Sequence, residues 1–197
     1  VRQLSVAELL VQVIFPDIEA MQYDNEQVQE LMIYVLKQYH LFIGQDKDFP
    51  QVLKSLPFLP RNDMLLTADR FYDPDSELLQ ELFFGEDNFP SGPYAEPSIV
   101  AILGEIGLRG VNDVEPEDLH EAANCVADFV SGSQHSLDDV TTKSDAILRY
   151  MGKHTAILQA DCQGTPLWEN MQDVCWVRRL VNKPNFYPKS LPWLDGD

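Results

Sequence analysis

An α+β fold, mainly helical with a small mixed sheet built from short helix–strand units, is what this sequence predicts. Three observations lead there. Apolar residues recur at helical spacing over long stretches, as in Val28, Leu31, Met32, Val35, Leu36 and Tyr39. Helix-start signatures precede them: Ser5 with Glu8, and Asp24 with Gln27. The strand-like segments, Leu56 to Thr67 and Val174 to Leu180, are short, and the first is interrupted by proline. With 197 residues, 45% of them apolar, the chain is long enough to bury a sizeable core.

The first forty residues read as two helices. The Ser5–Glu8 box opens an apolar run through Phe15, which Pro16 is expected to stop. The Asp24–Gln27 box opens the second, which Gly44 closes. A short helix ends near Ser55, and Leu56-Pro57-Phe58-Leu59-Pro60 follows as an edge strand, since its two prolines cannot donate ladder hydrogen bonds. Met64 to Thr67 is its neighbour across an Arg61-Asn62-Asp63 turn. Asp73 before Pro74 reads as an N-cap for a helix whose apolar face is Leu78, Leu79 and Leu82. Phe89 to Pro97 is a Pro/Gly loop. Helices are then expected from Ile99 to Ile106, from Pro116 to about Phe129, and from Ser136 to about Met151, before a short one after Thr165-Pro166. Pro184 to Trp193 is proline-punctuated and extended.

An internal echo accompanies these elements. Phe49, Leu53, Leu56, Phe58 and Leu59 match Leu167, Met171, Val174, Trp176 and Val177 in character, each pair 118 positions apart (167 less 49). Both copies read as a short helix and then a strand, which suggests one unit used twice and paired in one sheet. Residues 1–45 form an N-terminal helical segment in this reading, and residues 46–197 a helix–strand module. The buried set is expected to include Val28, Leu31, Val35, Phe58, Leu79, Leu82, Ile102, Leu119, Val126, Ile147 and Trp176.

Charge excludes several partners. Asp and Glu number 32 against 14 Lys and Arg, a net charge of −18. Phosphate backbones and anionic bilayers both need clustered basic residues, so neither nucleic acid nor membrane is an expected partner. No apolar stretch approaches the ~18 residues of a membrane span. Three cysteines, Cys125, Cys162 and Cys175, are odd in number and widely spaced, fitting neither a disulfide framework nor a zinc site. No basic-then-apolar signal segment and no Asn-x-Ser/Thr acceptor site occurs, so a cytoplasmic location is expected. The start at Val1 and the abrupt end at Asp197 suggest a piece of a longer chain.

No enzyme signature survives inspection. Gly152-Lys153 lacks the rest of a phosphate-binding loop, and no G-x-S-x-G elbow exists. His120-Glu121-Ala122-Ala123-Asn124 falls one ligand short of the zinc motif H-E-x-x-H, because Asn124 stands in the fifth place. The acids Asp69, Asp73, Asp75, Glu77, Glu81, Glu86 and Asp87 lack the ligand spacing of a calcium loop; helix capping and solvation account for them. His40, His135 and His154 are scattered. Cys125 and Cys175 read as core residues. Trp168 and Trp176 read the same way, whereas Trp193, flanked by prolines, is the tryptophan expected to face a partner. No catalytic residue, cofactor site or metal site is assigned.

Several pieces, taken in order, resemble the repeat regions of the sacsin family of very large chaperone-like proteins. They are Leu56-Pro57-Phe58-Leu59-Pro60, Phe71-Tyr72-Asp73-Pro74, Phe89-Pro90-Ser91-Gly92-Pro93-Tyr94, Gly107-Leu108-Arg109, and Trp176-Val177 with Pro184-Asn185-Phe186-Tyr187-Pro188 and Leu191-Pro192-Trp193. The resemblance covers roughly residues 50 to 193, and the first 45 residues add little to it. It implies a cytoplasmic segment of a repeat supradomain, tied to protein quality control, cytoskeletal filament organisation and inherited ataxia. Each repeat in that family begins with a part similar to the ATPase domain of the ninety-kilodalton heat-shock chaperone. Here neither the Glu/Asn-bearing helix nor the Asp-x-Gly-x-Gly loop of that ATP site is present, so no ATP-site residue carries over.

The expectation is therefore a non-catalytic segment of a sacsin-like chaperone or co-chaperone scaffold. It would present the Phe89 to Tyr94 loop and the Tyr187 to Trp193 segment to neighbouring repeats, clients or chaperones. A purely structural spacer and an undetected hydrolase are the alternatives.

Overall fold

The computed structural model describes residues 4–20, 23–84, 87–131, 137–172, 174, 177–178 and 186–187. Along the chain run α1 (Val6–Leu9), a π-turn (Leu10–Ile14), α2 (Phe15–Glu19), α3 (Asn25–Lys37), α4 (Tyr39–Gln45) and α5 (Phe49–Ser55). Strands β1 (Leu59–Arg61) and β2 (Met64–Leu66) come next, then α6 (Glu77–Leu82) and α7 (Pro97–Ile106). After these come α8 (Pro116–Ser131), α9 (Leu137–Lys153), β3 (Asp161–Cys162), β4 (Thr165–Pro166), α10 (Leu167–Gln172), β5 (Val177–Arg178) and β6 (Phe186–Tyr187). Helices dominate, as expected for a mainly helical α+β chain.

Contacts divide the chain into two units: Val1–Asp75 with Glu86–Gly110, and Ser76–Gly85 with Val111–Asp197. The boundary expected between residues 45 and 46 is not where packing breaks. Ala7, Phe15, Met32 and Phe42 share one core with Phe49, Phe58, Tyr94 and Leu103. The N-terminal helices complete that core because their buried stripes are apolar on the side facing it.

In the first unit both capping boxes form. The Glu8 amide donates to Ser5 Oγ at 3.1 Å and the Gln27 amide to Asp24 Oδ1 at 2.8 Å, with the reciprocal bonds present. Two expected stops fail. The first helix runs past Pro16 to Glu19, because a π-turn just upstream, closed by the Phe15 amide on the Leu10 carbonyl, shifts the register. Pro16 then sits in the first turn of α2, where a missing amide costs little. The second helix breaks at Gln38, whose φ of −106° is not helical, and resumes through Gly44.

β1 and β2 form the predicted hairpin in the register Leu59↔Leu66, Pro60↔Leu65 and Arg61↔Met64. Asn62 and Asp63 take φ of 49° and 64°, the paired left-handed values of a tight hairpin turn, which Asn and Asp tolerate. Among the described residues the strands of the two expected segments, Leu56 to Thr67 and Val174 to Leu180, lie in separate two-stranded ladders. β1 pairs with β2, β3 with β4 and β5 with β6, all antiparallel. Short strands next to tight turns find their nearest neighbour in sequence first. The echo itself is visible as secondary structure: α5 and α10 begin at 49 and 167, and β1 and β5 at 59 and 177.

α7 buries Ile99, Val100, Leu103 and Ile106 and ends at Gly107, where φ is 131°. An added Cβ there would meet Lys54 Cε at an ordinary 3.5 Å, so the backbone angle is the obstacle. Gly107→Ala is expected to lower the stability of this unit by about 1–2 kcal/mol, read as a lower urea midpoint at unchanged slope.

The second unit is built on α8, α9, α6 and α10. α8 buries Leu119, Ala122, Ala123 and Val126, and α9 buries Val140, Lys143, Ser144, Ile147, Tyr150 and Met151, each a stripe of helical period. α6 contributes Leu79 and Leu82, and α10 Leu167 and Met171. The helix expected to open at Asp73-Pro74 begins later, at Glu77, capped by Ser76. Of the expected core, Leu31 and Ile102 are half-buried and Trp176 lies outside the described residues; the others are buried.

Candidate interaction site

The motif Phe71-Tyr72-Asp73-Pro74 proves architectural. Tyr72 forms a parallel bridge with Arg109; the Asp73 amide donates to the Arg109 carbonyl at 2.9 Å, and the Arg109 amide to the Phe71 carbonyl at 2.9 Å. The Tyr72 amide donates to the Asn88 carbonyl at 2.8 Å, and the Arg109 guanidinium lies 4.7 Å from the centre of the Tyr72 ring. Three segments remote in sequence are thereby tied together. This explains why Asp73 is not a helix cap: its backbone is held extended, and its carboxylate accepts from the Asp75 amide at 2.9 Å in a local turn.

Beside this knot lies a recess of about 250 Å³. The hairpin turn supplies Pro60, Arg61, Asn62 and Asp63; the following loop supplies Asp87, Phe89 and Ser91; the first residue of α3, Asn25, completes it. Arg61 is half-buried and makes no ion pair among the described residues. In a chain of charge −18, a guanidinium with no carboxylate partner is a donor set left open. Phe89 is half-buried and offers an apolar wall. Phe89 and Pro60 thus give the recess an apolar wall and Arg61 a donor, with Asp63 and Asp87 in the same lining.

The loop expected to form a contact surface is only partly one. Ser91, Gly92 and Pro93 are exposed, but Tyr94 is fully buried, its hydroxyl donating to the Phe58 carbonyl at 3.2 Å and its ring 6.0 Å from that of Phe58. Tyr94 therefore belongs to the core. Trp193 and most of the Tyr187 to Trp193 segment lie outside the described residues.

The other singled-out residues do not converge. His120 is half-buried on α8 with Asn124 exposed one turn on, and His40 is exposed beside Tyr39. His154 stacks on Tyr150 at 4.4 Å, while Trp168 is half-buried at the start of α10. His135, Glu86, Cys175 and Trp176 lie outside the described residues. Glu81 pairs with Arg149 beside an open hollow of about 420 Å³, so the guanidinium in that lining is already engaged. Cys162 is buried, and desolvation pushes its thiol above the usual range, the opposite of an activated nucleophile. Lys37 meets Glu96 at 3.2 Å, and the Glu96 carboxyl is lowered by the Ser98 hydroxyl first and by Lys37 second. No group of three metal-ligating side chains occurs among the described residues.

No family model matches the chain, and no solved structure matches it. One comparison is informative. The chain is similar to human sacsin. Identity is 26% over 196 residues, 98% of this chain. The similarity thus extends through the first 45 residues, which carried little of the resemblance read from motifs. The chain spans 4% of the length of sacsin. A sacsin-related repeat segment is the level of relationship this supports. No helix among the described residues is long and apolar enough to cross a membrane.

Proposed function

We propose that this chain is a non-catalytic, cytoplasmic segment of a sacsin-like chaperone or co-chaperone scaffold, providing protein–protein or inter-repeat contacts. Roles in protein quality control and in filament organisation would belong to the longer assembly. Similarity to sacsin along 98% of the chain supports the scaffold part of the reading. The recess supports the contact part, and its unpaired Arg61 beside Phe89 is the observation that carries it. The acidic surface keeps such an assembly dispersed and repels anionic competitors.

The test is light scattering of a heat-unfolding client with this protein at equal and tenfold ratios, against an inert acidic protein of similar size. Suppression beyond that control is expected, and Arg61→Ala with Phe89→Ala is expected to remove most of it while leaving the fold intact. Loss of two anchors of this kind costs about 2–4 kcal/mol of binding, enough to abolish a weak contact. Absence of suppression by the unaltered protein would leave the spacer role. Suppression that survives the double substitution would move the contact away from the recess.

A further inference from the structure

The β3–β4 hairpin is a marginal element held by side chains. Each strand has two residues, paired as Asp161↔Pro166 and Cys162↔Thr165. Its turn places Gln163 at φ 59° and Gly164 at φ 91°, the paired left-handed values of a tight hairpin. Gly164 suits that region, whereas Gln163 is strained in it, since Asn, Asp and Gly are the residues that tolerate it. Three side-chain bonds offset the strain. The Gly164 amide donates to Asp161 Oδ1 at 2.7 Å. Thr165 Oγ1 donates to Asn170 Oδ1 at 2.9 Å, and Asn170 Nδ2 donates to the Cys162 carbonyl at 2.6 Å. The Thr165 hydroxyl is thus a donor that ties the hairpin to α10, and it sits on an exposed residue. Pro166 follows it, and of the 13 prolines in the chain this one alone is preceded by Ser or Thr.

We propose that Thr165 is the acceptor for a proline-directed protein kinase and that phosphate there unties the hairpin from α10. A kinase of this class seats the residue after the acceptor in an apolar pocket that offers no partner for a backbone amide, which selects proline. Proline also holds the residue before it extended, as Thr165 is in β4. In the transfer, Thr165 Oγ1 attacks the γ-phosphorus of a nucleoside triphosphate. An O–P bond forms, the bond to the β–γ bridging oxygen breaks, the nucleoside diphosphate leaves, and the hydroxyl proton passes to a carboxylate base of the kinase. The product can no longer donate to Asn170 Oδ1, and its oxygens are acceptors facing an acceptor. Turning the Asn170 amide over would satisfy the phosphate only by taking the donor from the Cys162 carbonyl. The added charge of about −1.5 to −2 also falls beside Asp161, whose carboxylate holds the amide of the residue before Thr165. The kinase engages the opened hairpin and the phosphate favours that same form, so opening and modification are coupled. None of the recess residues takes part, so either reading can fail alone.

The test incubates the full chain with a purified proline-directed kinase and magnesium ATP, and locates phosphate by peptide mass mapping. Phosphate on Thr165 is expected, absent in Thr165→Val and formed at least about tenfold more slowly in Pro166→Ala. Gln163→Asn gives the turn its preferred Asn-Gly pair and is expected to slow labelling about threefold. Asn170→Ala cuts the tie and is expected to speed it about fivefold, the worth of one hydrogen bond. In the phosphorylated chain the amides of residues 161–171 should exchange about tenfold faster, with those of α3 unchanged. No labelling of the folded chain would overturn the inference, as would labelling at other residues only, or a rate that ignores both hairpin substitutions. So would a phosphorylated chain whose α10 amides exchange as in the unaltered protein.

Discussion

Tyr94→Ala is expected to destabilise the first unit by about 3–5 kcal/mol, the cost of removing a large aromatic from a filled core. Tyr94 is fully buried and packs beside Phe58, and its hydroxyl donates to the Phe58 carbonyl, the residue leading into the hairpin. Truncation removes the ring, opens a cavity and strands that carbonyl. Tyr94→Phe keeps the ring and is expected to cost about 1 kcal/mol, the net worth of one buried hydrogen bond. Burial also raises the Tyr94 phenol above its usual value of 10.0. The folded phenol therefore stays protonated where the unfolded one ionises. Its contribution is complete below pH 10 and is lost as pH rises beyond it, so stability should fall on the alkaline side more steeply than in Tyr94→Phe. Urea titrations of the three proteins at pH 7 and near pH 11 check both statements. An unchanged midpoint in Tyr94→Ala together with a lost partner contact would instead return Tyr94 to the surface role that its Pro/Gly setting suggested.

That setting shows where sequence alone misleads. Between Pro93 and Pro97 a tyrosine reads as a displayed anchor, yet one 3₁₀ turn over Gly92–Ala95 is enough to aim it inward. Local chemistry was legible where the deciding partners lie within four residues: the boxes at Ser5 and Asp24, the turn at Asn62-Asp63, the helix end at Ile106. It was not legible where a distant backbone competes. Asp73 loses its capping role because residues 88 and 109 hold the preceding strand segment, and Pro16 is passed by a π-turn that no propensity announces. The recess follows the same rule. Its lining comes from residue 25, residues 60–63 and residues 87–91, and the lack of a partner for Arg61 is a property of the folded chain only. The resemblance motifs behave likewise: Phe71-Tyr72-Asp73 and Leu108-Arg109 meet as a structural tie.

The second large effect is expected at Lys143. It is fully buried on α9, an unusual fate for a lysine, and its Nζ donates to the Phe84 carbonyl at 3.1 Å just beyond the end of α6. The closing turn of a short helix exposes carbonyls that its own residues cannot satisfy, and a cation there also complements the helix dipole. α6 has only six residues and is marginal alone, so its place on α9 depends on Leu79, Leu82, the Glu81–Arg149 pair and this tether. Lys143→Met keeps most of the stem volume and removes the charge-assisted bond, an expected loss of about 1.5–3 kcal/mol. Lys143→Ala adds a cavity and is expected to reach about 3–5 kcal/mol. Hydrogen exchange separates tether from filler. In Lys143→Met the amides of α6 should lose protection before those of α8, because the tether is cut while the α8–α9 contact is kept. Uniform loss across the second unit would make Lys143 a packing residue and nothing more. A stability equal to the unaltered protein would mean that burying its charge costs as much as the tether contributes, which is the known balance for ionic groups in cores.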